Sequence, residues 1–286
     1  MPQGIALLVG VQDVSPGGSG CGESVKMMKK VITKAGNGKY HIEIMTTQTK
    51  QKPTRDAILG YIEKAAEKLH SGDTFIFFFA GHGGQVQDTN NDEPNGQDDI
   101  LCAYEGNIVD DELALRWKKF RRGVRIVMLS DSCHSGENYS FAPIKTNLDN
   151  ALVGTNPVNA PIDNAPIVNG NKKVKQLRNA KPINFNNTSL PNDGMQAQLI
   201  HFGACSDDQQ ANADPAGGDF TIALTIIWEM NMGNFSGYKE FYEAIKKELP
   251  TVLKERHENN IVLQAPQYNE YGPVDAAFRN SKPFSI

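Results

Sequence analysis

The 286-residue chain is poor in cysteine and tryptophan, with four of the first and two of the second. Four cysteines (Cys21, Cys102, Cys133 and Cys205) are too few for a disulfide framework at this length, which favours a reducing, cytoplasmic setting. No apolar run approaches the ~20 residues of a membrane span, so no membrane role is expected. The first residues, Met1-Pro2-Gln3-Gly4, lack the basic flank of a signal peptide, and Ile5–Val11 reads as a strand. Strong charge is missing too. The net charge is −4, with 29 basic and 33 acidic residues, and gives no support to nucleic-acid binding. With 39% hydrophobic and 22% charged residues the chain is globular, and it is long enough to bury a core without staples.

One absence is local. Between Gly83 and Leu115 there is no Lys or Arg, while the stretch holds Asp88, Asp92, Glu93, Asp98, Asp99, Glu105, Asp110, Asp111 and Glu112. The rest of the chain carries five more bases than acids, so this segment sets the sign of the whole.

What is present is alternation. Ile5–Val11, His41–Met45, Thr74–Ala80 (TFIFFFA), Val124–Ser130 (VRIVMLS) and Gln198–Ala204 (QLIHFGA) read as strands. Between and after them, Glu23–Lys34, the segment opened by Pro53-Thr54-Arg55-Asp56, Asp110–Phe120, Phe220–Met230 and Tyr238–Leu253 carry helical spacing. A last short strand is expected near Gln264–Tyr268. Repeated strand–helix–strand units predict an α/β fold: a mostly parallel central sheet of about six strands, covered by helices on both faces. Residues 141–196 break the rhythm. They are rich in Asn and Pro and hold a basic cluster of Lys172, Lys173, Lys175, Arg178 and Lys181, which reads as a long flexible insert. The chain thus divides into a large region (1–140), the insert (141–196) and a small region (197–286) completing the same sheet.

Two strand ends carry chemistry. TFIFFFA runs into Gly81-His82-Gly83-Gly84, and VRIVMLS runs into Asp131-Ser132-Cys133-His134-Ser135-Gly136. In an open parallel sheet, functional groups collect beyond the carboxyl ends of strands, so a His and a Cys leaving two such ends can meet in one crevice. The imidazole favours a thiolate on Cys133 and can then protonate a leaving amine; the backbone N–H groups of Gly83 and Cys133 are suited to hold an oxyanion. His134 is a rival base, but adjacent side chains point apart, which favours His82. Cys21, Cys102 and Cys205 read as core thiols. A zinc site has no CxxC or HxxxH pairing to support it.

The strand ending in GHGG, then DEPNGQDD (Asp92–Asp99), IVDDEL (Ile108–Leu113) and the strand ending in DSCHSG together resemble the metacaspase branch of the caspase-like cysteine peptidases. FGACSDDQQANAD (Phe202–Asp214) with FTIAL (Phe220–Leu224) is similar to that family's small-subunit region, while the caspase signature QACRG is absent. The resemblance implies a caspase-like fold, a dyad of Cys133 and His82, protein or peptide substrates, no organic cofactor, a monomer, and cleavage after Arg or Lys. Asp131 would supply the carboxylate for that cationic side chain. Ser24 stands where the family's GCxND pattern has its Asp, with Glu23 one position earlier, and Ala80 stands where a small hydroxyl residue often precedes the His.

The acidic stretch reads either as a solvated loop or as a Ca²⁺ site, since hard cations need several oxygen ligands. Carried over from the resemblance, the ligands would be Asp98, Asp110 and Asp111. The basic cluster of the insert is then a self-cleavage region for a peptidase of this specificity. A catalytically idle caspase-like scaffold, a calcium-responsive binding module and a related peptidase of different specificity are the alternatives. Intact Cys133 and His82 weigh against the idle scaffold.

Overall fold

A computed structural model of the chain describes residues 2–12, 20–87, 97–132, 194–206, 211–257 and 264–286. The elements run β1 (Gly4–Gly10), α1 (Cys21–Ala35), β2 (Tyr40–Thr46), α2 (Arg55–Lys68), β3 (Thr74–Ala80), β4 (Gly83–Gln87), β5 (Gln97–Cys102), β6 (Asn107–Val109), α3 (Asp110–Trp117) and β7 (Arg125–Asp131). They continue with β8 (Gln198–Gly203), β9 (Ala213–Asp214), β10 (Gly217–Gly218), α4 (Asp219–Asn231), α5 (Tyr238–His257), β11 (Gln267–Tyr271) and α6 (Ala276–Arg279).

Six strands form the central sheet in the order β11-β8-β7-β3-β1-β2. Every pairing is parallel except that of β11 with β8. All seven residues of β1 and β3 and six of the seven of β7 are buried, the signature of strands covered on both faces. One face packs Leu8, Phe78, Leu129 and Phe202 against α1, α4 and α5. The other packs Leu7, Phe77 and Met128 against α2 and α3, where Trp117 lies 6.1 Å from the Phe77 ring. Helix α2 starts where Thr54 Oγ1 accepts a hydrogen bond from the Ala57 N–H (3.2 Å), a regular side-chain cap.

Chain direction reverses around β1, which leads to β2 on one side while β3 and β7 follow on the other. Such a switch opens a crevice beyond the carboxyl ends of the strands. β8 and β11, from the last third of the chain, extend the same sheet beyond β7.

Two features differ from the expectation. The acidic stretch is not simply a solvated loop: β4, β5 and β6 form a separate three-stranded antiparallel sheet. Helix α5 runs one turn past Leu253 to His257, and that turn carries Arg256 and His257.

Candidate active site

Strands β3 and β7 pair in register with Ala80 opposite Asp131. The Gly81 N–H then donates to the Asp131 carbonyl at 3.3 Å, so the two chains leave the sheet side by side. His82 and Cys133 each follow that matched pair by two positions. Cys133 and His134 lie outside the described residues, as does the whole insert.

His82 is exposed at this edge. Its carbonyl accepts from the Cys102 N–H at 2.9 Å, so His82 and Cys102 form a hydrogen-bonded pair. The next pair, Gly83 opposite Leu101, is then of the non-bonded type, and the Gly83 N–H points away from β5. β4 is an edge strand, so that N–H faces outward from its sheet. Beneath the strand ends, the Cys205 thiol donates to the Ser132 carbonyl at 3.5 Å. Cys21 is likewise buried, while Cys102 is only half-buried.

Asp131 ends β7 with 6% of its surface exposed. Its Oδ2 accepts from the Thr221 backbone N–H at 3.2 Å and from the Thr221 hydroxyl. Burial pushes its pKa up to about 6; the Thr221 bonds oppose that rise and the charge of Asp219 adds to it. Glycine is required at 218, because a Cβ there would collide with the Asp131 carboxylate. The Gly218 N–H donates to Ser24 Oγ at 3.0 Å, tying the β9–β10 hairpin to α1. Ser24 is therefore buried beside Asp131, whereas Glu23 is exposed and paired with Lys26 at 2.6 Å.

Behind Asp131 lies a cation–anion cluster. Asp219 has no exposed surface; Arg256 Nε donates to its Oδ1 at 2.6 Å and His257 Nε2 lies 2.6 Å from its Oδ2. Arg256 also reaches Asp214 Oδ1 at 2.6 Å and the Gly217 carbonyl at 3.1 Å, gripping the hairpin. Deeper in the sheet, His201 Nε2 sits 2.8 Å from Ser130 Oγ, and burial lowers its pKa to about 3.

Asp98, Asp99, Asp110 and Asp111 are all buried, with 4–8% of each exposed. Ile100 pairs with Val109, so Asp98 and Asp99 on β5 approach the start of α3, where Asp110 and Asp111 occupy the first turn. A helix N-terminus favours negative charge there. Asp99 accepts from Gln85 Nε2 at 3.0 Å, and Asp110 Oδ1 from the Asp111 N–H at 3.0 Å. Glu112, in the same turn, pairs with Arg55. Among the described residues, no group of three or more His, Cys, Asp or Glu side chains could hold a metal ion.

A doubly covered, mostly parallel sheet, with a histidine on a glycine turn at one carboxyl end and Asp131-Ser132 at the next, defines a caspase-like α/β protein. Over its full length the chain superposes on the crystal structure of protein GSU0716 from Geobacter sulfurreducens, covering 99% of it with a TM-score of 0.67 and 26% identity. Residues 5–141 match the family model described as Metacaspase, peptidase C14 domain. Over those residues the chain is similar to the metacaspase family of cysteine peptidases. It is 25% identical to Metacaspase-1 of Debaryomyces hansenii, with 94% of this chain and 65% of that protein aligned. It is 28% identical to Metacaspase-1 of Schizosaccharomyces pombe over 94% of this chain and 68% of that protein. To Metacaspase-1 of Pyricularia oryzae it is 31% identical, over 46% of this chain and 36% of the relative. The chain thus spans between about a third and two thirds of these relatives. Among the described residues no helix is long and apolar enough to cross a membrane.

Sequence reasoning singled out Asp131 but not Gly218, Asp219, Thr221, Arg256 or His257. An acid in the first turn of α4 was a visible signal. That the turn abuts a β7 carboxylate depends on tertiary packing.

Proposed function

We propose that the chain is a cysteine endopeptidase in which Cys133 and His82 form the catalytic dyad. The observation that supports this reading is the register of β3 and β7, with Ala80 opposite Asp131, since His82 and Cys133 each stand two residues past that pair in the sequence. The Cys133 thiol gives its proton to His82, and the thiolate attacks the scissile carbonyl. His82 then protonates the departing amine as the C–N bond breaks, leaving a thioester. Water, deprotonated by His82, hydrolyses the thioester and regenerates the thiol. The N–H of Gly83, turned away from β5, and that of Cys133 stabilise the oxyanion of each tetrahedral intermediate.

Asp131 receives the cationic side chain of the residue before the scissile bond (P1), which makes Arg and Lys the preferred P1 residues. An Asp at P1 would meet like charge. Glu23 points into solvent, so it adds little to this pocket. Ca²⁺ is the activating ion of the same reading. Asp98, Asp110 and Asp111 are donors of the hard-oxygen type it takes, and as placed among the described residues they would have to draw together to hold it. The ion would offset the crowded acids; no proton transfer runs through it. The basic cluster Lys172–Lys181 is then a self-processing site.

A positional-scanning panel of fluorogenic peptides, with and without Ca²⁺, tests the whole reading. Turnover after Arg and Lys, raised by Ca²⁺ and reduced at least ~10³-fold by Cys133→Ala or His82→Ala, is expected. Ca²⁺ should also split the wild-type chain into two fragments while Cys133→Ala stays whole. Failure of every peptide would favour a non-catalytic scaffold.

A further inference from the structure

We propose that Asp219 and Thr221, on the first turn of α4, are positioning residues that hold the Asp131 carboxylate and tune its charge for recognition of a basic P1 side chain. The inference rests on the peptidase reading above. It also explains why an otherwise buried ion cluster sits behind the pocket.

The geometry is direct. Thr221 supplies two donors to one oxygen of Asp131, from its N–H at 3.2 Å and from its hydroxyl. Gly218 packs its bare Cα against the same carboxylate. Asp219, between them in sequence, turns its own carboxylate the other way, to Arg256 and His257, each at 2.6 Å. Three consecutive features of one turn therefore define where Asp131 sits and what charges it feels.

The groups that face Asp131 can be named element by element. From α4 comes Asp219, paired from α5 with the Arg256 guanidinium and in contact with His257 Nε2. The β9 carboxylate of Asp214 is also held by Arg256. From α1 the neighbour is Ser24, whose hydroxyl accepts from Gly218. At the end of β3, His82 follows the Gly81 that donates to the Asp131 carbonyl. On β8, His201 is engaged with Ser130 and buried neutral. The balance at Asp131 is set by burial and Asp219 on one side and by Thr221 on the other. Its titration near pH 6 places the change in charge within reach of ordinary assay conditions.

The two residues act in opposite directions. Asp219→Asn removes the like charge and leaves the Arg256 guanidinium uncompensated, so Asp131 keeps its charge to lower pH. Thr221→Val removes the hydroxyl donor, so Asp131 becomes neutral at higher pH. A merely structural role would lower activity in both variants without moving a titration in opposite senses.

The test compares peptides with Arg or citrulline at P1. Citrulline is close to isosteric with Arg but neutral, so the ratio of the two kcat/KM values cancels the titration of the dyad. In the wild type the ratio is expected to fall as pH drops through about 6. Asp219→Asn should move the fall down, and Thr221→Val should move it up, each by about one pH unit. Thr221→Ser keeps the hydroxyl and should restore the wild-type position. Thr221→Val is nearly isosteric, so the test survives if Asp219→Asn fails to fold. A pH-dependent ratio that both variants leave in place, or shift the same way, overturns this inference alone. An Arg/citrulline ratio of one at every pH overturns it together with the specificity reading beneath it.

Discussion

The protein buries two groups of carboxylates, and it treats them differently. Around Asp131 the acids are balanced within the fold: Arg256 and His257 reach Asp219, Arg256 reaches Asp214, and Thr221 bonds Asp131 itself. At the β5–α3 corner, Asp98, Asp99, Asp110 and Asp111 come from a segment with no Lys or Arg of its own, and the first turn of α3 receives two of them. The first arrangement is pre-organised, because its counter-charges are covalently part of the chain. The second leans on neutral donors, the Gln85 amide and the Asp111 N–H, and on the helix start, with Arg55 pairing only Glu112. Under the proposed function, the first group would recognise a cationic side chain and the second would respond to Ca²⁺.

The largest expected contrast is functional. Asp131→Asn should lower kcat/KM for a P1-Arg peptide by about 10²-fold, since a buried cation would lose its charged partner. Asp98→Asn should instead raise the Ca²⁺ concentration needed for half-maximal turnover and leave turnover at saturating Ca²⁺ unchanged. If both variants behave alike, the division between the two groups fails.

Stability separates the groups next. Arg256→Met leaves Asp219 buried without its main counter-charge and should cost about 3 kcal/mol, read from urea unfolding. Arg55→Met at the acidic corner, where the arginine is more exposed, should cost about 1 kcal/mol. Equal costs would deny that the Asp131 side depends more on built-in compensation.

A smaller effect appears in acid. His201, with its pKa lowered to about 3, is neutral when folded and charged when unfolded between that value and the ordinary histidine range, so it withdraws stability as pH falls. Asp131, raised to about 6, binds a proton in the folded state first and adds stability over the same descent. Between roughly pH 6 and 4 the two oppose each other. Asp131→Asn removes one side, so unfolding free energy should then drop with falling pH more steeply than in the wild type, by about 1.4 kcal/mol per pH unit. An unchanged slope would mean that Asp131 ionises as freely as in water.

The smallest effect belongs to Glu23. Exposed and paired only with Lys26, it should tolerate Glu23→Gln with less than about a twofold change in kcat/KM.

The same two regions mark what could be read from residues alone. The continuous apolar runs of β1, β3 and β7 announce doubly covered strands, and β3 begins and ends where TFIFFFA does. His82 and Cys133 stand out because each follows such a run. The β4–β5–β6 sheet was not legible, because Asp98 and Asp99 on β5 run against strand preference and look solvated. The Asp131 support was hidden for another reason. Gly218 and Thr221 lie some ninety residues from Asp131, and Arg256 and His257 sit on a turn past Leu253, beyond a proline in α5. Local pattern predicts the elements; the charge balance of the pocket arises only when α4 and α5 dock on β7.

The most direct test of the central claim is covalent labelling with a peptidyl chloromethyl ketone carrying Arg at P1, located by peptide mass mapping. The thiolate displaces chloride and forms a stable thioether. A single adduct on Cys133, weakened in Asp131→Asn and absent with a matched reagent carrying Asp at P1, is predicted. Labelling of Cys21, Cys102 or Cys205 in its place, or equal labelling by the P1-Asp reagent, would contradict the account.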